Sequence, residues 1–332
     1  MGMSFRSLAF ILIVCAAAGA DAAVKKPRAT PRPSLTPRMN RSVLDEELPS
    51  SSRNAPAAKP NPRNFHQLAE GELPLAAKGA IVLDSYTGRA LYEKNADEPQ
   101  YPASTTKIMT ALLVIEAGDL DREVEVTEED ARVGESSLNI QPGERYTRRQ
   151  MLFGLLLKSA NDVAHALGRD NAGTAEAFGL KMTLRARELG ATTTNFRNAN
   201  GLHDPQHYTT PRDLVLIARA AMQQPYFRQI VATLEHPWVT SFASHSLRNH
   251  NRLLTQFPGC IGVKTGYTNQ SQQVLASAAL RENREVIAVI MHSDKPGIWE
   301  DSKLLLTYGF DHPPGEPKAG LPGEGRTASK PY

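Results

Sequence analysis

The sequence predicts an α/β (α+β) fold in which an antiparallel β-sheet is flanked by helices and carries an inserted helix-rich subdomain. Strand-like apolar runs occur early, at residues 80–84 and 90–92, and return late, at residues 274–278 and 286–290. Between these runs, apolar residues recur mainly at helical spacing. Strands from both ends of the chain can share one sheet if the helical part is inserted between them.

The composition indicates an ordered protein with a sizeable core. Of the 332 residues, 41% are hydrophobic and 22% are charged, which excludes a mainly disordered chain. The formal net charge is +3, and the positive excess is concentrated near the N-terminus. Of the two cysteines, Cys15 lies in an N-terminal apolar run and only Cys260 lies further along. No disulfide is therefore expected in the folded domain.

The first 23 residues have the three parts of a secretory signal peptide. Arg6 supplies the positive charge, residues 8–18 form the apolar run, and Ala20 and Ala22 mark a cleavage site near residue 22. The apolar run is shorter than the about 20 residues that span a bilayer, so cleavage is favoured over a retained anchor. We expect an exported protein that is periplasmic or otherwise extracytoplasmic.

Two polar segments flank the predicted folded domain, residues 77–312. Residues 24–76 are rich in Pro, Ser, Ala and basic residues, and residues 313–332 are rich in Pro and Gly, which is typical of disordered linkers and tails. The linker is either a plain tether or a basic arm that contacts an anionic polymer. Its basic stretch, residues 25–33, contains no aromatic residue, so no nucleic-acid partner is expected.

The elements of the domain are predicted from local pattern. Two apolar runs around a turn signal predict a β-hairpin at residues 79–93, and an all-round apolar stretch predicts a buried helix after Pro102. Further helices are predicted at residues 149–157, 162–168, 176–189 and 211–222, within a helical part of about residues 103–250. The sheet resumes at residues 260–292, and a last helix covers about residues 300–308.

The first candidate catalytic pair is Ser104 and Lys107. The first turn of the buried helix offers Ser104 unpaired backbone N–H groups and the positive end of the helix dipole. Lys107, three residues later, lies on the same helix face within reach of the Ser104 hydroxyl. A lysine with pKa about 10.4 is a poor base, so this role requires burial and a nearby cation, for which Lys264 is a candidate. The plainer alternative is an N-cap serine followed by an exposed lysine.

Two later motifs supply further polar groups. Ser159 and Asn161 are predicted in a loop between helices, where they can relay a proton and position a substrate; the alternative is a helix N-cap. Lys264 and Thr265 are placed on a strand and can bind a carboxylate, and Gly266 lets a substrate backbone approach closely. The alternative there is an ordinary strand end. Each motif alone is common by chance, so the order and context of the three motifs must decide between the functional and the structural interpretation.

Together, the S-x-x-K, S-x-N and K-T-G motifs at Ser104, Ser159 and Lys264 resemble those of active-site serine penicillin-recognising enzymes. The surrounding residues 103–110, 159–162, 195–202 and 264–268 are similar to D-alanyl-D-alanine carboxypeptidases, the low-molecular-mass penicillin-binding proteins. The resemblance covers about residues 77–310. It implies a β-lactamase/transpeptidase-like fold and removal of the terminal D-alanine from peptidoglycan stem pentapeptides by a penicillin-inhibited serine peptidase.

The resemblance also implies a role for each motif residue. The implied catalytic residues are Ser104, Lys107, Ser159 and Asn161, and the implied substrate-binding residues are Lys264, Thr265, Gly266 and Tyr267. Ser104 forms the acyl-enzyme, and its backbone N–H joins that of Tyr267 in binding the oxyanion. No metal or organic cofactor is implied. The expected partners are stem peptides and β-lactams, with contact of the basic linker to anionic wall polymers open, in a soluble or loosely wall-associated protein.

Two departures from the family pattern leave other activities open. Ser271 and Gln272 stand where the family usually has an Ala-Gly pair, and Ile298 stands where it often has an arginine that helps bind the substrate's carboxylate. A D,D-endopeptidase acting on cross-links and a weakly catalytic muropeptide- and penicillin-binding protein are therefore alternatives. A β-lactamase is disfavoured because no E-x-x-L-N segment of the class A type is clear.

A group of polar residues in one loop is a weaker candidate site. His203, Asp204 and His207 lie close together in sequence and could bind a metal ion. The sequence supplies no matching pair of ligands elsewhere, so a solvated loop is favoured and no metal site is predicted.

Overall fold

A computed structural model describes residues 71–240 and 244–314. The predicted signal peptide, most of the predicted linker and nearly all of the C-terminal tail lie outside these residues. None of the helices in the described part of the chain is both long enough and apolar enough to cross a membrane.

The main sheet is built from strands at both ends of the domain. Its strands are β1 (Gly79–Asp84), β2 (Ala90–Lys94), β7 (Cys260–Thr268), β8 (Gln272–Arg281) and β9 (Arg284–Ser293). Their order is β2-β1-β9-β8-β7, and all neighbours are antiparallel. The early hairpin therefore pairs with the last strand, with Ile81 opposite Val289. The predicted fold class, an antiparallel sheet flanked by helices, is confirmed.

Eight helices lie between β2 and β7 in the described part of the chain. They are α1 (Lys107–Glu116), α2 (Glu128–Ala131), α3 (Arg148–Phe153), α4 (Asn161–Ala172), α5 (Ala175–Glu188), α6 (Pro211–Met222), α7 (Pro225–Ala232) and α8 (Leu253–Gln256), and α9 (Gly297–Asp311) follows the sheet. A 3₁₀ turn (Ala103–Thr106) precedes α1, and a π-helical segment (Gly154–Lys158) continues α3. The helix predicted at residues 149–157 is thus divided, and the last helix extends beyond residues 300–308 at both ends.

Two small two-stranded sheets lie in the part that the sequence predicts as helical. β3 (Glu123–Glu125) pairs with β4 (Arg145–Thr147), and β5 (Glu235–Val239) pairs with β6 (Ser244–Arg248). Each strand has a single fully buried side chain, such as Trp238 in β5. One buried residue per strand gives no alternating pattern, so local periodicity could not reveal these sheets.

The sheet separates two apolar clusters because its side chains alternate between its faces. In β1, Ile81 and Leu83 belong to the cluster with the inserted helices, whereas Ala80 and Val82 belong to the cluster with α9. Helix α1 is buried from Lys107 to Val114, in keeping with its all-round apolar sequence. The N-terminus of this central helix is where the motif residues meet.

The packed chain starts before the predicted domain boundary at residue 77. Leu75 is buried, and the backbone N–H groups of Ala76 and Ala77 donate to the Asp301 carboxylate at 3.1 and 3.0 Å. Leu75 and Ala76 belong to the predicted linker, because the sequence before residue 77 lacks periodicity. Their anchor is a carboxylate more than 200 residues away in sequence, which local pattern cannot show.

Candidate active site

Ser104 lies in the 3₁₀ turn before α1, and this turn packs directly against β7. A Cβ atom on Gly266 would lie 2.9 Å from the Ser104 backbone N and 3.1 Å from the Ala103 Cβ. A side chain at residue 266 would therefore push the strand away from the turn. From the sequence, the missing side chain of Gly266 was expected to let a substrate approach closely. In the structure, the missing side chain also lets the turn that carries Ser104 pack against β7.

The Lys107 side chain is fully buried and reaches three oxygen atoms. Its Nζ lies 3.1 Å from Ser104 Oγ, 2.7 Å from Asn161 Oδ1 and 2.6 Å from the Asn200 carbonyl oxygen. The alternative of an exposed helix lysine is therefore wrong. The spacing of three residues brings Lys107 to Ser104, whereas the two carbonyl oxygens come from distant segments.

Burial lowers the pKa of Lys107 well below its ordinary value, because a charged ammonium group loses its hydration there. The positive charge of Lys264 lowers this pKa further, and the negative charges of Asp162 and Glu135 oppose the shift. A neutral amine has two N–H groups, which the two carbonyl oxygens accept. Its lone pair then faces Ser104 Oγ, the arrangement that a general base needs.

Ser159 ends the π-helical segment in a left-handed conformation, with φ of 64°. Its Oγ atom is buried and has no hydrogen-bond partner among the described residues. Neither Ser159 nor Asn161 caps α4 with its side chain, so the N-cap alternative is wrong. The structure instead leaves the Ser159 hydroxyl free, beside the cleft that contains Ser104.

Asn161 connects the lysine to the loop that precedes β4. Its Oδ1 accepts from Lys107, and its Nδ2 donates to the Gly134 carbonyl oxygen at 3.1 Å. Its backbone N–H donates to the Ser136 carbonyl oxygen at 2.6 Å. These contacts fix the orientation of the amide, so that the oxygen faces the lysine.

The third motif lies on β7, along the opposite side of the cleft. Lys264 is buried, donates to the Thr265 carbonyl oxygen at 2.9 Å, and has its pKa lowered to about 7 by burial. The cleft has a volume of about 460 Å³, and its lining includes Ser104, Ser159, Thr265, Gly266 and Tyr267. The structure thus brings the three motifs together around one cavity.

Two cations in this cleft were not predicted from the sequence. Arg252 and Lys295 line it, and neither forms an ion pair with a described residue. The Arg252 guanidinium lies 5.6 Å from the ring centroid of Trp299, which also lines the cleft. Both cations come from loops far from the motifs in sequence, and no local pattern marked them.

Both departures from the family pattern are accommodated locally. Ile298 is buried in the cleft wall and contributes apolar surface there. Ser271 is buried, and its Oγ atom accepts from the Thr268 backbone N–H and hydroxyl, each at 2.9 Å. The Ser271 side chain thus closes the turn between β7 and β8.

The loop after α5 contributes to the same site. The Asn200 carbonyl oxygen accepts from Lys107, and His207 in the same loop is buried. The Arg197 N–H donates to His207 Nδ1, so His207 Nε2 carries the proton and donates to Thr106 Oγ1 at 2.8 Å. Burial lowers the pKa of His207 to about 4. His207 is therefore a neutral structural residue, and the prediction of a solvated loop is wrong for it.

Known proteins are similar to this chain in sequence. A family model described as D-alanyl-D-alanine carboxypeptidase matches residues 66–295. DacF of Bacillus subtilis is 36% identical over 231 residues, which cover 68% of this chain and 59% of the relative. DacB2 of Mycobacterium tuberculosis is 34% identical over 249 residues, which cover 72% of this chain and 85% of the relative.

Solved structures extend the similarity to the fold. The Streptomyces K15 DD-transpeptidase superposes with a TM-score of 0.68 at 34% sequence identity, covering 71% of this chain and 98% of that chain. The family model matches most of the described residues, including all three motifs. The chain belongs to the D-alanyl-D-alanine carboxypeptidase family of serine peptidases.

Proposed function

We propose that this protein is a serine-type D-alanyl-D-alanine carboxypeptidase that acts on peptidoglycan stem pentapeptides and is acylated by penicillin. The observation that carries the proposal is the buried Lys107 amine, which faces Ser104 Oγ at 3.1 Å. The names of the relatives support the reaction, and the free Ser159 hydroxyl supports a second proton-transfer group.

In the proposed acylation, Ser104 Oγ attacks the carbonyl carbon of the penultimate D-alanine while its proton moves to the neutral Lys107 amine. The backbone N–H groups of Ser104 and Tyr267 stabilise the negative oxygen of the tetrahedral intermediate, and loss of one such donor typically costs about 10²–10³ in rate. The C–N bond then breaks, and the proton passes from Lys107 through Ser159 to the leaving amine.

In the proposed deacylation, a water molecule attacks the ester carbon and gives its proton to Lys107. The C–O bond to Ser104 breaks, and the proton returns to Ser104 Oγ. Asn161 keeps the amine oriented during both steps, because its Oδ1 accepts from Lys107. A β-lactam would acylate Ser104 by the same attack and leave a stable adduct.

The terminal carboxylate of the substrate is proposed to bind at the Lys264 and Thr265 end of the cleft. The buried Lys264 on β7 supplies positive charge, and Arg252 and Lys295 supply more from the cleft wall. These two cations compensate for the missing arginine at Ile298. They therefore favour the carboxypeptidase over an endopeptidase, whose substrate has no free carboxylate beside the scissile bond.

The decisive experiment compares the wild type with Ser104→Ala by intact-mass analysis after incubation with benzylpenicillin. The same pair is then incubated with a pentapeptide ending in D-alanyl-D-alanine. A penicilloyl adduct on the wild type alone, together with released D-alanine, is the expected result. The absence of an adduct on both proteins would refute the serine mechanism.

The wild type and Ser104→Ala also distinguish the remaining candidate activities. An adduct without release of D-alanine, followed by cleavage of a cross-linked muropeptide, would identify an endopeptidase. An adduct without either cleavage would identify a binding protein. Rapid hydrolysis of a chromogenic cephalosporin would identify a β-lactamase.

Export is part of the proposal, and its support is the signal-like sequence of residues 1–23. Mass analysis of an extracytoplasmic fraction should find a mature protein whose first residue lies near residue 23.

We also propose that the basic linker contacts anionic wall polymers. Retention of the mature protein on isolated cell walls should then decrease with salt and with replacement of the basic residues in 25–33.

A further inference from the structure

Glu135 lies at the edge of the active site, in the loop that precedes β4. It lines a cavity of about 350 Å³ whose walls also include His203 and Tyr267, and Tyr267 lines the active-site cleft as well. The next residue in the chain, Ser136, lines the cleft itself. Within residues 71–240 and 244–314, no hydrogen bond or ion pair engages the exposed Glu135 carboxylate. Its negative charge therefore faces the solvent beside the cleft.

The backbone of Glu135 is held in an unfavourable conformation. Its φ angle is 65°, in the left-handed region, so neighbouring contacts must maintain this conformation for a residue that has a Cβ atom. The Gly134 carbonyl oxygen accepts from Asn161 Nδ2 at 3.1 Å, and the Ser136 carbonyl oxygen accepts from the Asn161 N–H at 2.6 Å. Ser136 Oγ also donates to the Lys158 carbonyl oxygen at 3.1 Å. The backbone on both sides of Glu135 is thus fixed.

The same asparagine holds the proposed catalytic base. Asn161 Oδ1 accepts from Lys107 Nζ at 2.7 Å, while the Nδ2 and backbone N–H groups of Asn161 hold the loop that carries Glu135. A single residue therefore sets the position of the Glu135 backbone relative to the Lys107 amine. A charge placed in this way can act on the amine without touching it.

The Lys107 amine lies among charges of both signs. Beyond the effect of burial, the positive charge of Lys264 on β7 lowers the pKa of Lys107, and the negative charges of Asp162 on α4 and Glu135 raise it. His207, in the loop after α5, is neutral. The Asp162 carboxylate is buried and accepts from backbone N–H groups of the loop before β4, which gives it a structural role. The Glu135 carboxylate has no such partner.

We propose that Glu135 is a positioning residue for catalysis, whose carboxylate stabilises the ammonium form of Lys107 that arises when Ser104 gives up its proton. The inference rests on the proposed function, in which Lys107 accepts this proton. With a β-lactam, Ser104 Oγ bonds to the lactam carbonyl carbon, its proton moves to the Lys107 amine, and the lactam C–N bond breaks as the nitrogen receives the proton. The positive amine in this sequence forms near the positive Lys264, and the Glu135 charge offsets that repulsion.

The test is the pH dependence of the second-order rate constant for acylation by benzylpenicillin, from about pH 4 to 8. This reagent contains no stem peptide, so peptide recognition does not enter the measurement. The rate decreases on the acid side as Lys107 becomes protonated. Because the Glu135 charge favours protonation, Glu135→Gln should move this acid limb to lower pH by roughly half a unit. On the limb, the variant should be acylated up to about threefold faster than the wild type.

Three further variants test whether the charge of Glu135 is responsible. Glu135→Asp retains the carboxylate and should keep the wild-type acid limb. Glu129→Gln, which removes an exposed carboxylate outside both cavities, should keep it too. His203 is a titratable neighbour in the same cavity, so the shift caused by Glu135→Gln should persist in a His203→Gln background. The shift should decrease at high salt, because the carboxylate is exposed.

A merely structural role of Glu135 would lower the rate at every pH and leave the limb in place. An unmoved limb in Glu135→Gln, or a shift to higher pH, would overturn the inference and leave the serine peptidase standing. Failure of benzylpenicillin to acylate the wild type at any pH would overturn the proposed function and this inference together.

Discussion

Burial of two lysines near one serine sets the protonation states on which the proposed chemistry depends. Lys107 and Lys264 are both almost completely buried, and the charge of Lys264 lowers the pKa of Lys107. The two amines are not equivalent, because Lys107 lies 3.1 Å from Ser104 Oγ, whereas the described hydrogen bond of Lys264 is to the Thr265 carbonyl oxygen. The proposed roles of Lys107 as the base and of Lys264 as the ligand of the substrate carboxylate can therefore be distinguished by the pH dependence of the kinetics.

The pKa of about 7 for Lys264 predicts a basic limb in the pH profile. Lys264 is charged below this pH and neutral above it, so KM for a peptide with a free terminal carboxylate should rise as pH increases through about 7. Steady-state kinetics from about pH 5.5 to 9 measure this limb. In Lys264→Arg the guanidinium stays charged, so the limb should disappear in a variant that keeps its folding transition. A limb that persists in Lys264→Arg would contradict the assignment.

The Ser159 hydroxyl has no hydrogen-bond partner among the described residues, so its removal should lower activity far more than stability. Ser159→Ala removes a buried hydroxyl that has no hydrogen-bond partner, so the free energy of unfolding should change by less than about 1 kcal/mol. If this hydroxyl relays a proton, kcat should fall about 10²–10⁴-fold. Thermal unfolding and D-alanine release measure the two effects. Full activity in Ser159→Ala would exclude Ser159 from proton transfer.

At the scale of elements, the contact between β7 and the 3₁₀ turn positions the nucleophile. Gly266 lies on β7 beside the Ser104 backbone, and the loop after α5 lies against the same turn at Gly201. Gly201 has φ of 85°, and a Cβ atom there would overlap the Ala103 carbonyl oxygen. Two glycines thus let a strand and a loop enclose the turn that carries Ser104.

Gly266→Ala should separate β7 from this turn. The added Cβ atom would lie 2.9 Å from the Ser104 backbone N, so the strand must shift. A displacement near 1 Å in a catalytic site can cost about 10²-fold, and we expect benzylpenicillin to acylate this variant about 10²-fold more slowly. Gly134→Ala is the control, because a Cβ atom there has no atom within 4 Å and the φ angle is not left-handed. Equal acylation rates in the two variants would contradict the role of the contact.

At the scale of the whole domain, one buried carboxylate joins three parts of the chain. Asp301 in α9 accepts from the Ala76 and Ala77 N–H groups at the start of the domain and from Ser293 Oγ, at 2.8 Å, at the end of β9. These contacts hold the N-terminal segment against the sheet and the last helix. Asp301 therefore connects segments that are far apart in sequence and that no local pattern relates to one another.

Asp301→Ala should destabilise the domain without touching the motif residues. It leaves buried N–H groups without their acceptor, which costs roughly 2–4 kcal/mol in the free energy of unfolding. For a domain of this size, Tm should decrease by roughly 10 °C. Asp121→Ala, which removes an exposed carboxylate paired with Arg149, should change Tm by at most about 3 °C. Equal Tm values for the two variants would refute the structural role of Asp301.

The fold class and the candidate residues were predictable from local patterns and motifs in the chain. Apolar runs with β-strand character identified the strands at both ends of the chain, and the all-round apolar stretch after Pro102 identified the buried helix α1. Helical spacing placed Lys107 near Ser104, and the structure has the contact at 3.1 Å. These features are local, because the period of a strand or a helix is complete within a few residues.

The groups that complete the site became apparent only in the folded domain. The second carbonyl oxygen on Lys107 comes from Asn200, 93 residues away, and Arg252 reaches the cleft from the loop before α8. The two small two-stranded sheets were equally invisible in the sequence. Such contacts depend on how distant segments pack, and no local periodicity records them. The residue types that carry the chemistry were therefore readable from the chain, whereas their partners, their burial and their pKa values were set by the folded packing.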